Sequence, residues 1–124
     1  MKNIVKGAII SLFAFVFFAC AHHNPDLDIS VTESDDEYKF SAYFDEARTR
    51  DVQRFVNRSI EPNGIFSGED DRLDVDTKLQ DRTSFKLKAS PGELIIKISK
   101  IENTPASVAR IRKMCEGIKG IITE

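Results

Sequence analysis

From residue 27 onward, apolar and polar side chains change places with two distinct periods. Leu27, Ile29 and Val31 alternate with Asp28, Ser30 and Thr32, the period-two signature of a strand with one buried face. Tyr38, Phe40, Ala42 and Phe44 repeat the pattern against Lys39, Ser41 and Tyr43. The acidic turn Glu33–Glu37 lies between the two segments, so together they predict a hairpin. Three further short runs follow. Leu73, Val75, Thr77 and Leu79 alternate with Asp74, Asp76 and Lys78. Phe85, Leu87 and Ala89 alternate with Lys86 and Lys88, and Leu94, Ile96 and Ile98 with Ile95, Lys97 and Ser99. Ser90-Pro91-Gly92-Glu93, between the last two runs, fits a type II turn. Proline sets φ at its second position and glycine tolerates positive φ at its third.

Between the second and third strands the period lengthens to that of a helix. Asp45 stands as the N-cap, with Glu46 in the first turn where the helix dipole favours an acid. Val52, Phe55, Val56 and Ile60 fall on one face, and Arg50, Arg54 and Arg58, spaced four apart, on the other. Pro62-Asn63-Gly64 ends this helix, and residues 65–71 form a loop ending in Glu69-Asp70-Asp71. Thr104-Pro105 opens a second helix with an N-cap and a proline in the first turn. Its apolar stripe is Val108, Ile111, Cys115, Ile118 and Ile122, with Arg110, Arg112, Lys113 and Glu116 elsewhere on the wheel.

The order is therefore β-β-α-β-β-β-α. One-sided strands and amphipathic helices bury their apolar faces most economically as an α+β two-layer sandwich. That predicts a mostly antiparallel sheet of about five strands with two helices on one face. The other face is wet. Asp74 and Asp76 on one strand, Lys86 and Lys88 on the next, and Lys97 on the third predict a ladder of opposite charges there. Each such cross-strand pair contributes about 0.2–1 kcal/mol.

Residues 1–26 have a different character. Lys2 and Lys6 precede the apolar run Ala8–Ala19, which ends at Cys20. A basic start, a short apolar stretch and small residues at its exit make a secretory leader over residues 1–19. As a helix this run extends about 18 Å, well short of the roughly 30 Å of a hydrocarbon core. Ala21–Asp26 is polar and contains Pro25, so residues 20–26 read as a tether and residues 27–124 as one small domain.

Phe17-Phe18-Ala19-Cys20 resembles the lipobox of bacterial lipoproteins, a small residue followed by the cysteine that receives diacylglycerol. Ala19 and Cys20 match; Phe17 stands where leucine is usual and Phe18 where alanine, serine or threonine is usual. The resemblance covers the leader alone. It implies a thioether-linked lipid on Cys20, cleavage before it and acylation, palmitate-type, of the new amino group. Ala21 is not the aspartate that retains many lipoproteins in the inner membrane, so the resemblance implies the outer membrane. Two other readings of the same residues stay open. Ala19-Cys20-Ala21 also satisfies the small-x-small rule of ordinary signal peptidase, whose cut after Ala21 releases a soluble periplasmic protein. An uncleaved anchor is the third.

Composition narrows the function classes. The chain carries 18 basic and 20 acidic side chains, and loss of Lys2 and Lys6 with the leader takes the formal charge from −2 to −4. A general nucleic-acid binder needs the opposite balance. His22 and His23 are the only histidines and both sit in the tether, so the domain lacks the usual base of serine and cysteine nucleophiles. Adjacent histidines in a tether, even with Asp26 and Asp28 nearby, preform no metal site. Once Cys20 is modified or removed, Cys115 has no disulfide partner, and its place in an apolar stripe makes it a small hydrophobe. Glu69, Asp70, Asp71, Asp74 and Asp76 lack the spacing of a calcium loop and read as a solvated acidic segment. Gly-rich phosphate loops and CxxC pairs are absent from the sequence.

The expectation is a lipid-anchored cell-envelope protein that acts by binding, without a cofactor or metal and without catalysis. Its membrane contact is lipidated Cys20, and its partner is a protein of the envelope rather than a nucleic acid. It binds through the exposed sheet face, the sheet edge or the arginine row, with Arg50, Arg54 and Arg58 on the first helix and Lys86 and Lys88 on the sheet as the candidate interaction residues. The alternatives are an immunity or inhibitor lipoprotein directed at an envelope enzyme, and a glycan hydrolase working through Asp70 and Asp71.

Overall fold

The computed structural model describes residues 27–67 and 72–124. The leader, Cys20, the tether with His22 and His23, and the acidic run Glu69–Asp71 lie outside the described residues. Strands β1 (Asp28–Glu33) and β2 (Glu37–Tyr43) are followed by a 3₁₀ turn (Glu46–Arg48) and helix α1 (Thr49–Ser59). Strands β3 (Leu73–Lys78), β4 (Ser84–Ser90) and β5 (Glu93–Ser99) come next, and helix α2 (Pro105–Ile122) closes the chain. The sheet runs β1-β2-β5-β4-β3 with every neighbour antiparallel. The predicted α+β sandwich, with its strand and helix order, is the observed one.

Alternation decides which side chains enter the core. Tyr38, Phe40 and Ala42 of β2, Leu94, Ile96 and Ile98 of β5, and Phe85, Leu87 and Ala89 of β4 all point to one face and are buried. Val52 and Val56 of α1, and Val108, Ile111, Cys115 and Ile118 of α2, pack into the same cluster. Burying a large aliphatic or aromatic side chain is worth about 1.5–3 kcal/mol, so this cluster is where the stability resides. Leu73 and Val75 on edge strand β3 are only half-buried, because no further strand among the described residues flanks them.

The β4–β5 turn joins three elements. Gly92 has φ of 77°, as the third position of a type II turn requires. Its carbonyl accepts from the Phe44 amide at 2.9 Å, extending the β2–β5 ladder by one rung. Its own amide donates to Thr49 Oγ1 at 2.8 Å, at the first residue of α1. This contact explains a departure from the predicted helix start. Asp45 does cap, accepting from the Ala47 amide at 3.0 Å, but it caps the 3₁₀ turn. The α-helix begins four residues after Asp45, at Thr49, whose hydroxyl is held by the hairpin.

Polar side chains secure the remaining connections. Asn103 donates to the carbonyls of Ser84 and Ser99 at 3.0 and 2.8 Å and accepts from the Ser84 amide at 2.8 Å, joining the exit of β5 to the start of β4. Thr83, fully buried, donates to Ser107 Oγ at 2.8 Å, and Thr104 Oγ1 caps α2 by accepting from the Ser107 amide at 3.0 Å. Asn57 accepts from the amides of Ile65 and Phe66 at 2.9 and 3.1 Å, drawing the segment after α1 back onto the helix.

Two glycines give opposite tests. A Cβ on Gly92 meets the Phe44 carbonyl oxygen at 2.8 Å while its backbone stays left-handed, whereas a Cβ on Gly120 meets nothing within 4 Å. Gly92→Ala therefore lowers unfolding stability by about 2–3 kcal/mol. Gly120→Ala, on the exposed side of α2, raises it by about 0.5–1 kcal/mol. Urea denaturation midpoints of the two variants measure both shifts.

Candidate functional site

The side chains that alternate away from the core cover the other face of the sheet, which no helix among the described residues overlies. Register places Lys39 of β2 opposite Lys97 of β5, and Lys97 opposite Lys86 of β4. With strands about 4.8 Å apart, three ammonium-bearing side chains share one row about 10 Å long. Asp76 of β3 ends the row: Lys86 Nζ lies 3.0 Å from its Oδ1, and this contact raises the Lys86 pKa. Lys97 Nζ lies 3.7 Å from a Glu37 carboxylate oxygen. Among the described residues Lys39 makes no ion pair. One row away Lys88 faces Asp74 and Ile95. A depression on this face is walled by Glu37, Asp76, Lys86, Lys97, Ser99 and Glu102. The centre is cationic and the border acidic.

The predicted charge ladder is thus correct only along β3 and β4. Asp74 faces Lys88 and Asp76 faces Lys86, but Lys97 faces Lys86 and Lys39 rather than an acid. Like charges directly opposite destabilise a sheet. Attraction from Glu37 and Asp76 offsets part of that cost, since exposed pairs contribute at most about 1 kcal/mol each.

The other candidates fall elsewhere. Arg50, Arg54 and Arg58 are exposed on the side of α1 opposite its buried Thr49, Val52 and Val56, so they occupy the helix layer and not the open sheet face. Lys86 and Lys88 are therefore on one side of the sandwich and the arginine row on the other; the structure does not join them. Arg58 covers the Phe55 ring at 5.9 Å, and Phe55 in turn packs against Gly117 of α2. Asp70 and Asp71 lie outside the described residues, as does Cys20.

Cys115 is fully buried, and burial pushes its thiol up to about 12. Burial also pushes the neighbouring Tyr38 phenol up to about 12. Both stay protonated at neutral pH, so Cys115 lacks the thiolate that a nucleophile needs. Among the described residues no group of three His, Cys, Asp or Glu side chains is placed to hold a metal ion. No helix among them is long and apolar enough to cross a membrane.

Two charged junctions had no signature in the sequence. Glu33, at the end of β1, lies 2.6 Å from Lys100 Nζ and also pairs with Arg112, whose guanidinium covers the Tyr38 ring at 5.2 Å. The hydrogen bond from Lys100 is the largest influence holding the Glu33 carboxyl below its ordinary value. Asp81 accepts from the Thr83 amide at 3.0 Å and from Arg110 at 2.8 Å, and the Thr83 contacts lead in lowering its pKa. Each junction unites residues far apart in the chain, which alternation does not reveal.

Compared with known proteins, the chain matches no family model, no curated protein and no solved structure.

These titrations set the pH range of stability. Glu33 and Asp81 have lowered pKa values in the folded state. The stability they contribute is present above their ordinary values of 4.5 and 3.8 and is lost as pH falls below them. Cys115 and Tyr38 are raised. Their contribution is present below the ordinary 9.0 and 10.0 and is lost as pH rises towards about 12. Stability measured by urea titration is expected to hold level between these limits and fall on both sides. Glu33→Gln combined with Asp81→Asn flattens the acid limb. Cys115→Ala reduces the alkaline slope by up to about 1.4 kcal/mol per pH unit.

Proposed function

We propose that the protein is a lipid-anchored, non-catalytic binding module of the bacterial cell envelope. In this reading it is held to the membrane, by analogy the outer one, through Cys20 and meets a protein partner with the open face of its sheet. The observation that carries the binding face is the aligned row Lys39, Lys97 and Lys86 on a sheet surface that no helix among the described residues covers. Like charges in register cost stability in the free protein, and an acidic patch on a partner removes that cost. Ile95 and the half-exposed Tyr43 on the same face add apolar contact beside the charges. The acidic border at Glu37, Asp76 and Glu102 rejects partners whose carboxylates are not aligned with the lysines.

The anchor is supported by the leader, by the Ala19-Cys20 junction and by the short connection that follows it. Six residues separate Cys20 from Leu27, a connection of seven Cα–Cα steps that reaches at most about 25 Å when extended, so the domain works close to the bilayer surface. Two or three acyl chains, at about 0.8 kcal/mol per buried methylene, hold such a domain firmly.

Cys20→Ala is expected to abolish palmitate labelling and to move the protein from the membrane to the soluble fraction. Retention of the variant in membranes refutes the lipid tether in favour of an uncleaved anchor. A wild-type chain that is already soluble points to cleavage after Ala21. For the binding face, the full chain is captured from detergent-solubilised membranes with whatever co-purifies stoichiometrically. Lys39→Glu/Lys97→Glu is expected to reduce the co-purifying partner about tenfold or more, while Arg50→Glu/Arg54→Glu leaves it in place. The reverse pattern assigns binding to the helix layer and defeats the sheet-face reading.

A further inference from the structure

The two edges of the sheet are unlike each other. On β3 the outward-facing side chains are Asp74, Asp76 and Lys78, and charges of this kind discourage pairing with another chain. Strand β1 lacks such protection. Between Asp28 and Glu33 it presents four uncharged residues, Ile29-Ser30-Val31-Thr32, with no proline, and six consecutive residue pairs join it to β2 without a bulge. Val31 is 53% exposed, the most exposed large apolar side chain in any described strand. The outer edge of β1 has no neighbouring strand among the described residues, so its outward N–H and C=O groups offer a template for one.

We infer that this edge pairs with β1 of a second copy of the chain, antiparallel and about a two-fold axis at Ser30. The two five-stranded sheets then become one of ten strands. A two-fold axis normal to the sheet keeps both helix layers on the same side, so every residue must oppose one that points the same way. With Ser30 opposite Ser30, Ile29 of each copy faces Val31 of the other on the helix side. Asp28 of each copy faces Thr32 on the open side. Apolar meets apolar twice, and no two like charges are opposed. Centring the pair on Val31 instead sets Ile29 against Glu33, and centring it on Thr32 sets Val31 against Glu33. The Ser30 register instead sets Glu33 opposite Leu27, just before the strand, and spares Ile29 and Val31; the Glu33 charge stays with Lys100 and Arg112 of its own copy.

The same register covers the exposed apolar surface. Val31 borders a shallow groove between β1 and α2 whose walls include Tyr38, Phe40, Cys115 and Lys119. Ile29 of the second copy closes that groove from the strand side. A pairing of six-residue edges falls below the roughly 1,000 Å² of a permanent interface, which makes this a reversible dimer. It goes beyond the partner-binding reading and does not depend on it: joined sheets simply present two open faces side by side.

Cysteine cross-linking of the full chain in detergent tests the register directly. Residues opposed in an antiparallel pair have Cα atoms about 4.5–5.5 Å apart, within the span of a disulfide or a short bismaleimide. Ser30→Cys is expected to give a cross-linked dimer about tenfold more abundant than either the unsubstituted chain or Asp36→Cys in the neighbouring turn. Adding Val31→Lys, at an exposed position that leaves the melting temperature in place, is expected to remove that dimer. Ser30→Cys cross-linking no better than Asp36→Cys overturns the inference. So does a Ser30→Cys adduct with a different protein, which assigns the edge to a partner's strand, and so does a dimer that survives Val31→Lys.

Discussion

The contact on which the rest of the molecule depends is the one Gly92 makes in two directions. Its carbonyl completes the β2–β5 ladder at Phe44, and its amide takes the Thr49 hydroxyl at the start of α1. Strands β2 and β5 are separated by a helix, a loop and two other strands, so their pairing is the longest-range decision in the sheet. Closing such a contact costs chain entropy before it yields any packing. The Pro91-Gly92 turn offsets that cost by arriving preformed, with φ restricted at one position and left-handed backbone accepted at the next. Once it is seated, Leu94, Ile96 and Ile98 are sheltered between neighbouring strands and beneath α2.

From that arrangement follows the division of labour between the two faces. All the apolar side chains that alternation supplies are used on the side the helices cover, which leaves the opposite side to whatever the intervening positions hold. Those positions are rich in lysine on the three central strands and in acid at the border. A surface built only for solubility intersperses the two signs; here three lysines stand in register with the acids displaced to the margins. The helix layer is arranged differently. Its arginines are spread along one exposed helix, while Arg110 and Arg112 are occupied with Asp81, Glu33 and Tyr38. What sets the open sheet apart is the alignment of its lysines across three neighbouring strands.

Part of that face was legible in advance. The two-residue connection Pro91-Gly92 sets Ser90 opposite Glu93, and counting outward places Lys86 opposite Lys97. A strict reading of the turn thus contradicts a simple ladder of alternating charge. Lys39 is another matter: its alignment with Lys97 comes from the β2–β5 pairing, for which no local turn exists. The start of α1 illustrates the same limit. Asp45 is a good cap by composition and does cap, yet the helix it announces is delayed by a 3₁₀ turn because Thr49 is held from another part of the chain. Glu33 and Asp81 look like ordinary surface acids until folding brings Lys100, Arg112 and Arg110 to them.

By itself the sequence determined the element order, the type II hairpin and the buried faces of the central strands β2, β4 and β5. These follow from local rules: side chains alternate in a strand, repeat every 3.6 residues in a helix, and turn where proline and glycine allow. The tertiary structure alone decided that β2 pairs with β5, that β1 is left as an uncharged edge and that Lys39 joins Lys97 and Lys86 in one row. Those outcomes depend on contacts between residues distant in the chain, whose register is set by how the whole apolar face is covered. The place of Lys39 in the cationic row and the open β1 edge are consequences of that packing, and no local pattern in the chain records them.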